Sequence, residues 1–410
     1  MNTRQQNNII KINKSRHLLP GLLPGIITAA LVFGPSKITI TCKLGAEYGF
    51  SLLWIVVVAI FFMIVFTTMS ARVGLASTKS LITLIKYKWG KPAGVFTGIG
   101  VFLVSTSFQA GNAIGIGISL SGLTGTPVMP WVIIFNIAAI ALLFARSFYK
   151  ALEKIMLLLI GAMLLAFITT AVLSRPPATD IFDGFIPSVP QGSGGLIIAF
   201  MASCFSIAGA FYQAYLVQQR RKLFSSAQNP RSSVAGMLIL GLLAAALMIC
   251  SASVLHSAGG KINTALDMAG ALQPLLGKSA SIFFLCGLFG ASFSALIGNA
   301  SLGGTLLSDA LGYADGLDAK ASRYCTALVI IMGASVAVIF GKLPLQLIIF
   351  AQSITIFIVP FIGFALYMVA NDAGIMGAYK NKITAKISGG AGLLMVAALA
   401  VENIRELFFR

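Results

Sequence analysis

Residues 31–41 read LVFGPSKITIT: Gly34, Pro35, Ser36 and Lys37 interrupt an otherwise apolar run. Proline removes a backbone donor and crowds the preceding turn, and glycine lowers the cost of unwinding. At membrane depth, non-helical backbone is tolerated only where it is buried in protein or lines a cavity. If the run crosses a bilayer, it is therefore a discontinuous helix beside a polar site, and Lys37 sits in it.

Composition places the run in a bilayer. The chain has 410 residues, 58% hydrophobic and 10% charged, with a mean hydropathy of +0.94; a soluble domain carries roughly 25% charged residues. Too few charges remain to cover a water-soluble fold, so soluble enzyme classes are excluded. Cys42, Cys204, Cys250, Cys286 and Cys325 are scattered singly, without a CxxC or Cys/His cluster, so neither a disulfide framework nor a zinc site is indicated. No cofactor and no resident metal site is expected. The net charge of +18 resides in short loops between apolar spans, which is a topology signal and not a nucleic-acid stripe.

A crossing needs about 20 apolar residues. Eleven such stretches lie near 20–44, 49–71, 94–121, 127–146, 151–174, 193–217, 233–257, 279–308, 321–341, 344–370 and 387–404. With the N-terminus inside, 21 of the 29 Lys and Arg fall in cytoplasmic segments and seven outside. This positive-inside bias predicts a multi-pass protein of the cell (inner) membrane, with a cytoplasmic N-terminus and an external C-terminus. No connection is long enough for a soluble domain; Asn263 to Leu276 reads as a short interfacial helix. The expected organisation is a tail at 1–19, a transporter core of ten helices at 20–370, and a loop with an eleventh helix at 371–410.

A second break is expected five spans later. Span six carries Ser206-Ile207-Ala208-Gly209-Ala210 within FMASCFSIAGAFYQAYLVQQR. Breaks in matching positions of two halves point to a transporter site, and spans one and six match in a five-plus-five inverted repeat.

These residues carry a family resemblance. PGIITAALVFGPSKITITCKLGAEYGFSLLWIVV (24–57) resembles the first helix and following loop of NRAMP-type (natural resistance-associated macrophage protein) divalent-metal transporters. ARVGLASTKSL (71–81) is similar to the segment after the family's helix two, LVQQR (216–220) to the end of helix six, and AQSITIFIVPF (351–361) to helix ten. The resemblance implies a LeuT-like fold, all α, with discontinuous helices 1 and 6 and alternating access around a midplane site. It also implies that this chain lacks the family's ligands. The helix-one Asp-Pro-Gly-Asn falls on Gly34-Pro35-Ser36-Lys37, and the helix-six Met-Pro-His on Ser206-Ile207-Ala208. A later helix-six histidine falls on Gln213, and the acidic pair of helix three, tied to proton passage, on Gln109 and Asn112. A helix-ten glutamine is kept as Gln352.

None of the eleven acidic residues lies near mid-membrane in this reading. Half-helix N-termini favour anions. The expected cargo is therefore a small carboxylate-bearing or polar organic solute held by Gly34, Pro35, Ser36, Lys37, Thr41, Ser206, Ala208, Gly209, Gln213 and Gln352. Thr39 is a further polar contact, and protons or sodium serve as the coupling ion. Lys37 either pairs with the solute or cycles its proton; the competing reading is that it snorkels to the interface. Gln109 and Asn112 read as interhelical hydrogen-bonders or as a polar path. Asn299 and Ser301 read as packing residues; Phe211, Tyr212 and Tyr215 as packing or cavity lining; His256 as an interface residue. The alternatives are a divalent metal cation (Mn, Fe or Mg) as in the parent family, and a non-transporting membrane sensor, disfavoured because no soluble output domain is present.

Overall fold

The computed structural model describes residues 33–144, 146–204, 206–223, 231–259, 262–313, 319–340, 349 and 355–408. These residues are helical throughout, with no strand among them. The helices that matter here are α1 (Pro35–Tyr48), α2 (Leu53–Ala76), α3 (Leu81–Trp89), α4 (Lys91–Thr124), α5 (Val128–Phe144), α6 (Arg146–Leu173) and α7 (Gly194–Cys204). They continue with α8 (Ile207–Leu223), α9 (Arg231–Ser251), α10 (Ala280–Leu311), α11 (Lys320–Phe340), α12 (Val359–Asn371) and α13 (Ile383–Phe408).

Each of the eleven expected spans meets a helix, with ends shifted by a few residues. Seven segments among the described residues are long and apolar enough to cross a membrane by themselves. The other four spans are the first, described only as the 14-residue α1, the 17-residue α5, α6, and α12, which bends by 65° into a short following helix. The tail 1–19, the first half of span one and the start of span ten lie outside the described residues. The amphipathic α3 in the loop after α2 was not anticipated. Ser80 caps it by accepting from the Thr83 N–H at 3.0 Å, and Leu81, Ile82, Leu84 and Ile85 are buried while Lys86 and Lys88 end it. Between 263 and 276 the chain does turn into short helices, Ala265–Ala269 and Gln273–Leu276. Met268 and Leu272 there are buried in protein, so the first of them is packed and not simply interfacial.

Burial separates centre from rim. The apolar window of Gly194–Gln219 is 87% buried, that of Ile383–Arg405 only 17%. Large apolar side chains such as Ile137, Ile387 and Leu394 point outward, as a lipid-facing surface requires.

Two groups of helices pack mainly among themselves: α1, α2, α7, α8 and α9 in one, α4, α5, α10 and α11 in the other. Without a hydrophobic drive between helices in lipid, small residues that admit close backbones hold such groups. At Gly74 of α2 a Cβ would lie 2.6 Å from the Ala214 carbonyl of α8, and at Gly304 of α10 it would lie 2.3 Å from the Thr326 nitrogen of α11. Polar contacts reinforce the first group. Ser70 donates to the Phe211 carbonyl at 3.2 Å and accepts from the Ala214 N–H at 3.1 Å. Gln218 donates to the Ser77 and Lys79 carbonyls at 3.0 and 2.7 Å, and Arg221 to Leu75 at 2.6 Å. Helices α2 and α8 thus form one body. Gly115 of α4 is where the groups meet: a Cβ there would lie 2.5 Å from Ser292 Oγ and 2.7 Å from Pro35.

Two stability outcomes follow from these contacts. Gly115→Ala should cost about 1–3 kcal/mol as an overpacked site and lower the melting temperature in detergent. Gly161→Ala, where a Cβ meets nothing within 4 Å inside α6, should not lower it and should raise it slightly, because alanine is the better helix former. At the basic face Lys88 pairs with Asp372; the hydrogen bond from Lys88 holds the Asp372 carboxyl below its usual range. A depressed folded-state pKa stabilises above the unfolded carboxylate pKa, and that contribution is lost as pH falls through the folded value. The melting temperature should therefore drop on acidification slightly less in Asp372→Asn than in the wild type. The pair is partly exposed and worth at most about 1 kcal/mol.

Candidate functional site

The starts of α1 and α8 face one cavity. Gly34 is extended (φ −90°, ψ 179°) and Pro35 occupies the first turn of α1, where its missing N–H costs nothing. The Lys37 and Ile38 N–H groups donate to the Gly34 carbonyl at 3.1 and 3.3 Å. In span six, α7 ends at Cys204 and α8 begins at Ile207, so the break falls earlier than expected. Ser206 is the non-helical residue, while Ala208, Gly209 and Ala210 already belong to α8. The cause is capping: Ser206 Oγ accepts from the Gly209 N–H at 3.2 Å, and its carbonyl from Ala210 at 2.9 Å. Neither α1 nor α8 has an acidic residue in its first turn, so two positive helix ends stand uncompensated by acid at the break.

Between them lies a cavity of about 60 Å³. Of the residues singled out in the sequence, Gly34, Ser36, Lys37, Ser206 and Gly209 line it, and so does Asn112, which by sequence reads as an interhelical hydrogen-bonder or a polar path. Lys37 is 1% exposed and opens on this cavity, which removes the snorkelling alternative. Asn112 Oδ1 points at Gly34; a Cβ on that glycine would lie 3.2 Å from it and 3.1 Å from Ala295 Cβ.

Other expected residues face elsewhere. Pro35 is turned into α4 at Gly115. Thr41, Ala208 and Gln213 are buried but lie outside the lining, further along or around their helices. Gln109 turns to α11, where a Cβ on Gly333 would sit 2.5 Å from its Cβ. Its amide, 0% exposed, has no hydrogen-bond partner among the described residues, so it is neither an interhelical hydrogen-bonder there nor part of the lining. Gln352 lies outside the described residues.

The sequence reading missed the α10 wall, Phe108 and Ser203, whereas Tyr212 was among its packing or cavity-lining residues. Ala295, Gly298, Asn299 and Leu302 of α10 line the cavity, with Phe108 of α4, Ser203 of α7 and Tyr212 of α8. The spacing 295, 298, 299, 302 is one helical face, which was the available signal. Asn299 is more than a packing residue: its Nδ2 donates to the Ser105 carbonyl at 2.7 Å, which leaves Oδ1 as an acceptor beside the cavity. His256 contacts the Ala46 carbonyl through Nδ1 at 2.9 Å, tying the end of α1 to the π turn Ala252–His256. Among the described residues no three His, Cys, Asp or Glu side chains gather.

A cavity at two facing helix breaks, inside a two-group helical membrane protein, defines a LeuT-like transporter architecture. Comparison with known proteins agrees. The chain belongs to the Natural resistance-associated macrophage protein-like family, whose pattern matches residues 25–406. It is 25% identical over 407 residues to the "Divalent metal cation transporter MntH" of Deinococcus radiodurans, covering 96% of this chain and 91% of that one. Its fold matches the Eremococcus coleocola manganese transporter (TM-score 0.74, 19% identity, 94% of this chain and 87% of that one). It also matches MhsT in complex with L-phenylalanine (TM-score 0.60, 13% identity, 92% and 98%). The protein is thus a multi-pass membrane transport protein.

Ser206→Ala should remove the α8 cap and cost about 1 kcal/mol, with Ser206→Gly costing only a few tenths. Thermal melts in detergent read the difference, and equal melting temperatures for all three proteins would remove Ser206 as the cap.

Proposed function

We propose that this chain is a secondary active transporter working by alternating access, whose cargo is a small carboxylate-bearing or polar organic solute held at the break between α1 and α8. One observation carries the reading: Lys37, buried, and the starts of α1 and α8 surround a cavity with no acidic or imidazole side chain among the described residues of its lining. At about 4 Å, an effective dielectric near 20 gives roughly 4 kcal/mol for each pair of like unit charges, and a divalent ion doubles it. A carboxylate meets the same groups attractively, while Ser36, Asn112 and Asn299 supply hydrogen bonds, and Phe108, Tyr212 and Leu302 an apolar wall. MhsT, of the same fold, is described with an amino acid bound.

A second cargo is favoured by the comparisons, and they support it better than the first: a divalent metal cation, the substrate in the names of the MntH relatives. It would require Ser, Asn and backbone oxygens to hold the ion beside an ammonium, whereas Mg²⁺ and Mn²⁺ want hard, usually carboxylate, oxygens. The positive-inside bias supports a cytoplasmic N-terminus and an external C-terminus in the cell membrane, and protons or sodium supply the drive, with Lys37 in the lining of the site.

Flux into proteoliposomes separates the cargoes. The first predicts uptake of one or more organic acids from a broad panel, no Mn²⁺ uptake, and lost uptake with normal membrane insertion in Lys37→Ala. Mn²⁺ uptake by the wild type would establish the second. Organic-acid uptake unchanged in Lys37→Ala would take the lysine out of the mechanism.

A further inference from the structure

Asp309 is the second buried charged side chain among the described residues, 4% exposed, alongside Lys37. It sits in the last turn of α10, which ends at Leu311. A carboxylate there opposes the helix dipole, and the Asp309 carbonyl already accepts from the Gly312 N–H at 3.0 Å. Helix stability does not account for an acid at this position.

Its carboxylate accepts from the Tyr215 hydroxyl at 2.5 Å. Tyr215 in turn accepts from the Ile82 N–H of α3 at 3.4 Å, and Lys86 of α3 donates to the Asp309 carbonyl at 2.6 Å. Tyr215 belongs to α8, bonded to α2 as one body; Asp309 belongs to the other helix group. The contact therefore crosses the seam along which the two groups meet sparsely.

Its position along the seam gives it a role. Tyr212 and Leu302 line the cavity on the α8 and α10 sides, and both helices run from there toward the basic face. Tyr215 follows Tyr212 by one turn, about 4.5 Å of rise, and Asp309 follows Leu302 by two, about 10 Å. The side chains between are buried: Thr305, Leu306 and Ser308 on α10 and Gln213 on α8. Tyr212 and Tyr215 stack at 6.4 Å, so the cavity floor leans on the lower contact.

We propose that the Tyr215–Asp309 hydrogen bond is the closing contact of a gate between the cavity and the basic face, with α3 clamped over it through Ile82 and Lys86. Release of this bond would let α8 and α2 swing together from α10. The proposal rests on the alternating-access reading for its purpose, but not on which cargo is carried.

The test needs no cargo. In a background with the five native cysteines replaced, Leu302→Cys reports from the cavity floor to a membrane-impermeant maleimide applied to each face of sealed vesicles in turn. With Tyr215 and Asp309 intact, labelling from the basic face should be slow. Tyr215→Phe and Asp309→Asn should each raise that rate at least about tenfold, the factor expected for losing or weakening a hydrogen bond to a charged group, and the double variant should exceed neither single by much. Both substitutions keep the side-chain size, and each decides alone if the other fails to give a monodisperse protein. Unchanged basic-face labelling in a folded single variant would overturn the gate. Failure of all solute uptake with raised labelling would count against the cargo reading and leave the gate standing.

Discussion

The burial of Lys37 where the starts of α1 and α8 meet is the constraint on which the rest of the site depends. A basic side chain held inside a bilayer protein marks a functional position by default, and helix starts favour negative charge beside it. The surrounding structure is arranged to sustain it. Pro35 starts α1 without wasting a donor, Ser206 caps α8, and Gly115 lets α4 press against Pro35 to hold the break in place. On the proposed reading, such a site favours an anion over a cation.

Family membership and site chemistry pull apart here for a physical reason. The fold is secured by contacts spread over the whole chain, among them Gly74 against Ala214, Gly304 against Thr326, and the hydrogen bonds between α2 and α8. Cargo choice depends on a handful of side chains at one cavity. Replacing those few residues leaves the architecture intact, so a family pattern matched over residues 25–406 establishes a transporter more firmly than it establishes an ion. Fold alone is a weak guide to substrate.

Much of this was legible in the sequence, and the remainder fails for identifiable reasons. The GPSK interruption located the first break because glycine and proline act through the backbone of their own segment. Span six has no proline, so its break, set by the Ser206 cap, came out a residue or two late. Lys37 was identifiable as an isolated charge in an apolar run. Whether it reached a cavity or the interface depended on what α10 placed opposite it, a tertiary fact. Gln109 and Asn112, three residues apart on α4, illustrate the same limit: one faces Gly333 of α11 and the other faces Gly34, and spacing alone cannot say which. The α10 wall was hidden because Gly298 and Ala295 look like ordinary packing residues until a cavity is seen beside them. Asp309, by sequence only one of the acids away from mid-membrane, acquires meaning from Tyr215, 94 positions away.

The sign of the cavity's potential is the central claim, and anomalous diffraction reads it directly. Crystals of the protein would be soaked separately in bromide and in Mn²⁺. A bromide peak beside Ser36, Lys37 and Ser206, with no manganese peak between α1 and α8, is the expected result. A manganese peak at that position would contradict the account.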